Sequence, residues 1–145
     1  MLWQPSEDDL SRANLTRYMR WLRERRGLGY ETYHELWRWS VDDLEGFWSS
    51  IWEFFNVKAH RPYSGVLAER RMPGARWFPG ALLNYAEHAL QRRDRRPAVI
   101  SSSELRPLTT MTRRDLYDQV SRVAAGLKGL GLGKGDRVAA LMPNT

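Results

Sequence analysis

The chain has 145 residues, of which 42% are hydrophobic and 28% charged, with a net charge of +6. This balance is typical of a folded protein rather than a disordered one, and the lack of cysteine excludes disulfides, thiolate metal sites and a cysteine nucleophile. There is neither an 18-residue apolar run nor a secretory signal, so we expect a cytoplasmic protein with no membrane partner.

Capping signals predict three helices in the first third of the chain. Ser6 is followed by Asp9 at the third position, and the helix it begins continues to Gly27. A second helix begins at Thr32 and a third at Ser40, where Asp43 stands at the third position. The first helix has an apolar face formed by Leu15, Tyr18, Met19 and Leu22.

An aromatic stripe marks the third helix. Its members recur at helical spacing: Leu44, Phe47, Trp48, Ile51, Trp52 and Phe55. Burying one such side chain is worth about 1.5 to 3 kcal/mol, so we expect the stripe to be core rather than a stacking platform for nucleic-acid bases. Trp37, Trp39 and Trp77 follow no clear face, and we expect them to line an interface with the rest of a larger protein.

The middle of the chain is interrupted by Pro and Gly. Residues 56–80 read as loops with a short extended piece at 65–68, and helical spacing returns at 83–90. The run Asp94-Arg95-Arg96-Pro97 marks a boundary between an aromatic-rich helical cap at 1–93 and a second domain at 94–145. The whole is predicted to be α/β.

The second domain reads as strand, turn, strand, helix and strand. The strands are predicted at 98–102 and 108–111, joined by a serine turn at 101–103, and the helix begins at Thr112 and ends at Gly131. The last segment, 137–142, is continuously apolar, as in a parallel strand that is covered on both faces. Such a strand needs neighbours, of which 98–102 could be one, so we expect the chain to be incomplete at its C-terminus.

Other features that suggest chemistry have simpler structural explanations. The glycines at 129–135 follow a helix instead of opening one, so they are not expected to hold phosphate. The adjacent acids at 8–9 and 42–43 are expected in first helical turns, and Ser101, Ser102 and Ser103 have no base placed to activate them. The three histidines are far apart in sequence: His34, His60 and His88. We therefore predict no catalytic, cofactor-binding or metal-binding residue in this chain.

Two arginine-rich runs, at 23–26 and 92–96, follow predicted helices. Basic residues are favoured at helix C-termini, so both runs are expected to be solvated helix ends. A contact with nucleic acid or with a CoA phosphate is the alternative.

Two stretches resemble the acyl-CoA synthetases that activate short acids as adenylates. One is Pro73-Gly74-Ala75-Arg76-Trp77-Phe78-Pro79-Gly80-Ala81-Leu82-Leu83-Asn84-Tyr85-Ala86-Glu87, whose part from Trp77 onward is similar to the acetoacetate-CoA ligase branch. The other runs from Leu116-Tyr117-Asp118-Gln119-Val120 to Gly133-Lys134-Gly135-Asp136-Arg137-Val138-Ala139. The resemblance implies that 1–93 is the N-terminal cap and 94–145 the beginning of the AMP-binding domain.

The resemblance also implies a function for the parent enzyme. It would join acetoacetate to CoA through an acyl adenylate, using ATP with Mg²⁺ and releasing AMP and pyrophosphate, while this segment alone would be inactive. A related acetate or propionate synthetase, a basic nucleic-acid-binding module and a regulator that pairs with a full-length synthetase are the alternatives.

Overall fold

The computed structural model describes residues 4–142, which form two compact units, 4–84 and 85–142. Helices and two small antiparallel sheets confirm the α/β class. Unit 1 contains α1 (Glu7–Arg12), α2 (Asn14–Arg26), α3 (Tyr33–Asp42), α4 (Leu44–Phe54), β1 (Leu67–Glu69) and β2 (Arg76–Trp77). Unit 2 contains α5 (Tyr85–Ala89), β3 (Pro97–Ser103), β4 (Arg106–Thr112) and α6 (Arg113–Gly129).

The predicted first helix is two helices. Ser6 and Asp9 form the expected capping box of α1, but Ala13 is extended, with φ −59° and ψ 140°, and separates α1 from α2. The Thr16 hydroxyl donates a hydrogen bond to the Leu10 carbonyl at 2.6 Å, which satisfies an acceptor at the end of α1. The single-helix prediction was wrong because the Ala13 N–H and the Thr16 hydroxyl both bind the Leu10 carbonyl, which would accept from the Asn14 N–H in a continuous helix.

The start of α4 also differs from the prediction. Thr32 and Glu35 form the expected capping box of α3, but α3 continues through Ser40, whose hydroxyl donates to the Trp37 carbonyl. Asp43 is the residue that caps α4, accepting a hydrogen bond from the Gly46 backbone N–H at 2.9 Å. A Cβ at Gly46 would lie 2.0 Å from the Asp43 carboxylate, so a larger residue here would displace the capping carboxylate.

The core of unit 1 lies where α2, α3 and α4 meet. Leu22 is fully buried, Tyr18 and Leu36 are nearly so, and eight partly buried apolar side chains surround them. The buried Ser50 hydroxyl donates to the Phe47 carbonyl at 2.6 Å and accepts from the Tyr18 hydroxyl. Burial raises the pKa of Tyr18 above its ordinary value, so the phenol remains a donor at neutral pH.

The aromatic stripe of α4 divides between three environments. Phe47 and Ile51 pack on the core, while Trp52 packs on the rings of Tyr63 and Phe78. Trp48 lies 5.6 Å from Trp77, and Phe55 follows the last residue of α4 and is 59% exposed. The core prediction is therefore confirmed for Phe47 and Ile51, whereas Trp52 is half-buried outside that core. The prediction is wrong for Trp48, which is 39% exposed, and for Phe55, which lies beyond the last residue of α4.

The predicted extended piece at 65–68 is confirmed in part, as β1 begins at Leu67 and pairs with β2 in an antiparallel ladder. Arg76 reaches across to Glu69 at 2.9 Å, and Glu69 also pairs with Arg71. The helix predicted at 83–90 exists as α5, which is only five residues long.

Unit 2 consists of a hairpin and a helix that packs on it. β3 and β4 confirm the two predicted strands, but Ser101 and Ser103 lie in β3, so the serine turn was wrong. Thr112 and Asp115 form the predicted capping box of α6. At the other end Gly131, with φ +89°, donates to the Lys128 carbonyl while Leu132 donates to the Leu127 carbonyl, a Schellman motif.

The predicted strand at 137–142 is absent, and β3 pairs with β4 alone. Val138 is 64% exposed and Leu141 fully so, which agrees with the expectation that this apolar run needs neighbouring strands to become one. No residue of 85–142 is buried.

Candidate functional site

The glycine-rich loop and the serines, which suggested chemistry in the sequence, form hydrogen bonds within the chain. Within the loop that follows α6, Asp136 accepts from the Gly133 N–H at 2.7 Å, so this backbone donor is already used inside the chain. Ser101 contacts the Thr109 hydroxyl across the hairpin at 3.0 Å. Both features stabilise local structure, as the sequence suggested for the glycines.

The acidic and histidine side chains also have separate places in the structure. Asp8 lies in the first turn of α1, as expected, and pairs with Arg12. Asp42 is the last residue of α3, so the first-turn prediction was wrong for the acids at 42–43. The His88 ring nitrogen Nδ1 lies 2.7 Å from the Gln91 amide. Across residues 4–142, no three His, Asp or Glu side chains form a group that could hold a metal ion. The prediction that the chain contributes no site residue stays a prediction.

The tryptophans without a clear face behave differently from one another. Trp39 packs between Tyr30 and Phe47 in the core of unit 1, and its indole N–H donates to Asp43 at 3.3 Å. Trp37 is 50% exposed and Trp77 39% exposed. Trp3 lies outside the described residues. The interface expected for Trp37 and Trp77 therefore has exposed side chains available, and Trp39 does not contribute to it.

A cluster of arginines in unit 2 is a feature that the sequence does not reveal. The loop before β3 is hydrogen-bonded to the first turn of α6: the Arg113 N–H donates to the Arg96 carbonyl at 3.0 Å and the Arg114 N–H to the Asp94 carbonyl at 3.2 Å. Two segments that are almost twenty residues apart are thus joined. We call the result the arginine cluster, and its members are Arg92, Arg93, Arg95, Arg96, Arg113 and Arg114.

Asp94 is the carboxylate at the centre of the arginine cluster. It accepts from the Arg96 backbone N–H at 3.0 Å and pairs with the Arg113 guanidinium at 3.1 Å. The Arg96 backbone hydrogen bond, followed by the charges of Arg113 and Arg96, lowers the pKa of Asp94. Within the described part of the chain, Arg113 is the only one of the six arginines in an ion pair.

The run at 92–96 is exposed throughout, as predicted, but only the run at 23–26 lies at a helix C-terminus. Arg23, Arg25 and Arg26 do occupy the last turn of α2. The run at 92–96 lies instead against the positive N-terminal end of α6, where a basic residue is unfavourable by about 0.3 to 1 kcal/mol. The sequence could not show this, because it does not show which helix the loop contacts.

An apolar groove runs along α6. It is lined by Leu116, Gln119, Val120, Val123, Ala124 and Leu127, and Val123 is 61% exposed. This is the face that the helical spacing predicts to be buried, and in unit 2 nothing covers it. An exposed apolar face of this kind marks a contact surface.

Comparisons with known proteins give these surfaces a context. Residues 33–89 match the family model for the N-terminus of acetyl-coenzyme A synthetase, and residues 86–145 match the model for AMP-binding enzymes. The solved structure of acetoacetyl-CoA synthetase from Streptomyces lividans superimposes with a TM-score of 0.84 and 44% identity over 99% of the chain. The chain belongs to the acyl-CoA synthetase family. It covers 23% of that Streptomyces chain.

Curated relatives from this family agree. Acetoacetyl-coenzyme A synthetase from Rhizobium meliloti is 34% identical over 99% of this chain, and acetoacetyl-CoA synthetase from Macaca fascicularis is 30% identical over all of it. Acetyl-coenzyme A synthetase from Methanothrix soehngenii is 34% identical over 86% of the chain. The chain spans about a fifth of the length of these relatives, with 22%, 22% and 19% of each covered.

Family membership also accounts for the arrangement of the chain. The two family models meet at 86–89, close to the division between unit 1 and unit 2.

Among the described residues there is no helix long and apolar enough to cross a membrane.

Proposed function

We propose that this chain is the N-terminal part of a ligase that activates acetoacetate with ATP and transfers the acyl group to CoA. The first step forms acetoacetyl adenylate and pyrophosphate, and the second forms acetoacetyl-CoA and AMP. The supporting observation is the likeness, at 44% identity and over 99% of the chain, to a synthetase named for acetoacetate.

The role of the chain in this enzyme is that of a scaffold. Residues 1–93 form the aromatic-rich cap, and residues 94–145 begin the AMP-binding domain. The exposed groove of α6 and the unpaired edges of the β3–β4 hairpin are surfaces that further strands and helices of such a domain would cover. Residues 137–142 would then become the buried parallel strand that their composition predicts.

ATP, CoA and acetoacetate are substrates of the proposed enzyme, and Mg²⁺ accompanies ATP. The described residues 4–142 gather no set of carboxylates or histidines suited to a metal ion, so we assign none of them to Mg²⁺. The proposed enzyme works in the cytoplasm and has neither nucleic acid nor a membrane as partner.

ATP–pyrophosphate exchange tests the substrate. We expect the synthetase that carries this sequence to exchange label rapidly with acetoacetate and at least tenfold more slowly with acetate, because acid recognition precedes adenylate formation. Exchange with acetoacetate that does not exceed exchange with acetate, or with no acid, would rule out the acetoacetate proposal.

Two chimaeras test the scaffold role. In one, this chain replaces the matching segment of the Streptomyces lividans enzyme, and in the other it replaces that of the Methanothrix soehngenii enzyme. We expect the first to retain acid-dependent exchange and the second to lose it, because packing surfaces complementary to this chain are those of the acetoacetate branch. The reverse order would assign the chain to the acetate branch.

A further inference from the structure

We propose that an apolar groove of unit 1 binds a segment from the remainder of the synthetase, and that this segment presents an apolar side chain next to a carboxylate. The inference rests on the proposed function, because that function requires most of the enzyme to lie outside this chain. We call the surface the Trp77 groove. Its apolar lining consists of Leu44, Leu67, Met72, Ala75 and Trp77.

The Trp77 groove has ordered walls. Leu67 and Trp77 are partners across the β1–β2 ladder, and the Trp77 ring lies 5.6 Å from the ring of Trp48 on α4. The Arg71 guanidinium, which also lines the groove, lies 3.1 Å from the Glu69 carboxylate. A segment that enters the groove therefore contacts side chains that already have neighbours, which lowers the entropy cost of binding.

The size of the groove favours a side chain over a free small molecule. Its volume is about 250 Å³. Pockets that enclose small molecules typically have volumes of about 300 to 1,000 Å³. Met72 is 89% exposed and Trp77 is 39% exposed, so the lining is only partly covered by unit 1 itself. Neighbouring apolar residues that remain exposed in this way mark a contact with another segment.

The charges at the groove favour a segment that carries a carboxylate. Arg70 and Arg71 both line the groove, and Glu69 on β1 already pairs with Arg71 and with Arg76. Arg70 is exposed and forms no ion pair within residues 4–142. One carboxylate is thus shared by two of the three guanidinium groups. A carboxylate from the bound segment would pair with the third, for which the planar fork of arginine is suited.

The remainder of the synthetase is a better occupant than a second copy of this chain. The chain covers 23% of the Streptomyces lividans enzyme and 22% of the Rhizobium meliloti one, so most of such an enzyme is available to cover the groove. All groove residues lie within 33–89, the segment that matches the synthetase family model. Two copies of this chain would repel each other, because each has a net charge of +6.

Methionine oxidation by dilute hydrogen peroxide, measured by mass spectrometry, tests the proposal. Met72 lies in the groove, whereas Met19 packs on the core of unit 1 and serves as the internal reference. In the complete synthetase we expect Met72 to be oxidised about as slowly as Met19. In the isolated chain we expect Met72 to be oxidised about tenfold faster than in the synthetase, because oxidation follows exposure.

Met142 separates this inference from the proposed function. It is 77% exposed at the end of the apolar run 137–142, which the proposed function buries in the AMP-binding domain. Met142 should therefore be protected in the complete synthetase whether or not the groove is filled. Protection of Met142 without protection of Met72 would overturn the groove inference alone. Loss of both protections would contradict the scaffold role as well.

Two charge reversals in the complete synthetase test the carboxylate. Arg70→Glu should speed the oxidation of Met72 about threefold or more, because it places a carboxylate against that of the bound segment. Arg20→Glu makes the same change at an exposed residue of α2 that forms no ion pair within residues 4–142, and it should have almost no effect. An unchanged Met19 rate shows that unit 1 remains folded in both. Equal effects of the two reversals would exclude a carboxylate partner for Arg70.

Protein concentration identifies a second copy. Protection of Met72 by the remainder of the same polypeptide should not depend on the concentration of the synthetase. Protection that appears only at high concentration, in the synthetase or in the isolated chain, would make the occupant a second copy and overturn the proposal. Slow oxidation of Met72 in the isolated chain at low concentration would also overturn it, because the chain would then cover the groove by itself.

Discussion

The two units of this chain use their apolar side chains in different ways. In unit 1, α2, α3 and α4 bury Tyr18, Leu22 and Leu36 among aromatic rings that contact one another edge to face. In unit 2, α6 has an equally regular apolar face, yet Val123 is 61% exposed. A helical pattern in the sequence therefore predicts which face can be buried, and only the rest of the structure determines whether it is.

A buried leucine gives the largest expected contrast. Leu22→Ala should lower the free energy of unfolding of unit 1 by about 3 to 4 kcal/mol, because Leu22 is fully buried and its loss leaves a cavity. Leu105, in the hairpin turn of unit 2, is 94% exposed, so Leu105→Ala should change the free energy of unfolding by less than about 0.5 kcal/mol. Urea unfolding followed by tryptophan fluorescence measures unit 1, which contains every described tryptophan, and the same unfolding followed by circular dichroism measures the whole chain, including unit 2. Similar losses for both variants would contradict the contrast.

The buried hydroxyl pair tests the polar part of the same core. Ser50→Ala leaves the Tyr18 hydroxyl buried without its acceptor and should cost about 2 kcal/mol, whereas Tyr18→Phe removes a hydrogen bond at about 1 kcal/mol. The double variant should cost clearly less than the sum, because the two groups share one interaction. Additive losses in urea unfolding would show that the pair is not coupled.

Two glycines in and after α6 should respond with opposite signs. Gly131→Ala should destabilise unit 2 by about 1 to 2 kcal/mol, because its φ of +89° strains any residue with a Cβ. Gly126→Ala, in the helix interior with nothing within 4 Å of the new methyl group, should stabilise α6 by about 0.8 to 1 kcal/mol. Thermal melts followed by circular dichroism measure both changes, and the same sign for both would show that α6 does not end as described.

Acid should weaken the start of α6. The Thr112 hydroxyl and backbone N–H hold the pKa of Asp115 below its ordinary value of 3.8. Because the folded pKa is lowered, the stabilisation is fully present above the ordinary pKa and is lost as pH falls through the folded one. Asp115→Asn should remove this pH dependence from α6, while the neighbouring Asp118→Asn should keep it. Hydrogen exchange of the α6 amides between neutral and acid pH measures the effect, and an unchanged profile in Asp115→Asn would exclude the capping carboxylate as its source.

Local signals predicted much of this fold. The capping boxes at Ser6, Thr32 and Thr112 were identified from residues three positions apart, since their partners are fixed by the helix itself. Serine and aspartate both cap helices, so whether Ser40 or Asp43 caps α4 depends on where α3 ends, which the sequence does not show. The family resemblance, read from the residues around Trp77 to Glu87 and after Leu116, was confirmed by the comparisons.

The arginine cluster and the absent strand depend on contacts that no local pattern encodes. The loop at 92–96 could be assigned to the helix before it from sequence, and only the hydrogen bonds to Arg113 and Arg114 place it against α6. Residues 137–142 have strand composition, but a strand exists only where a neighbour accepts its hydrogen bonds. Tertiary contact decided both features.

The contacts of the Arg26 side chain show why lysine is not equivalent to arginine at this position. Its guanidinium donates to Glu53 at 2.8 Å and to the Ser49 hydroxyl at 3.1 Å while lying 5.9 Å from the centre of the Trp21 ring, so one planar group links α2 to α4. Lysine has a single point of charge and cannot reproduce this fork. Arg26→Lys would therefore weaken the contact between α2 and α4, and a homologue with lysine at this position needs another contact between the two helices.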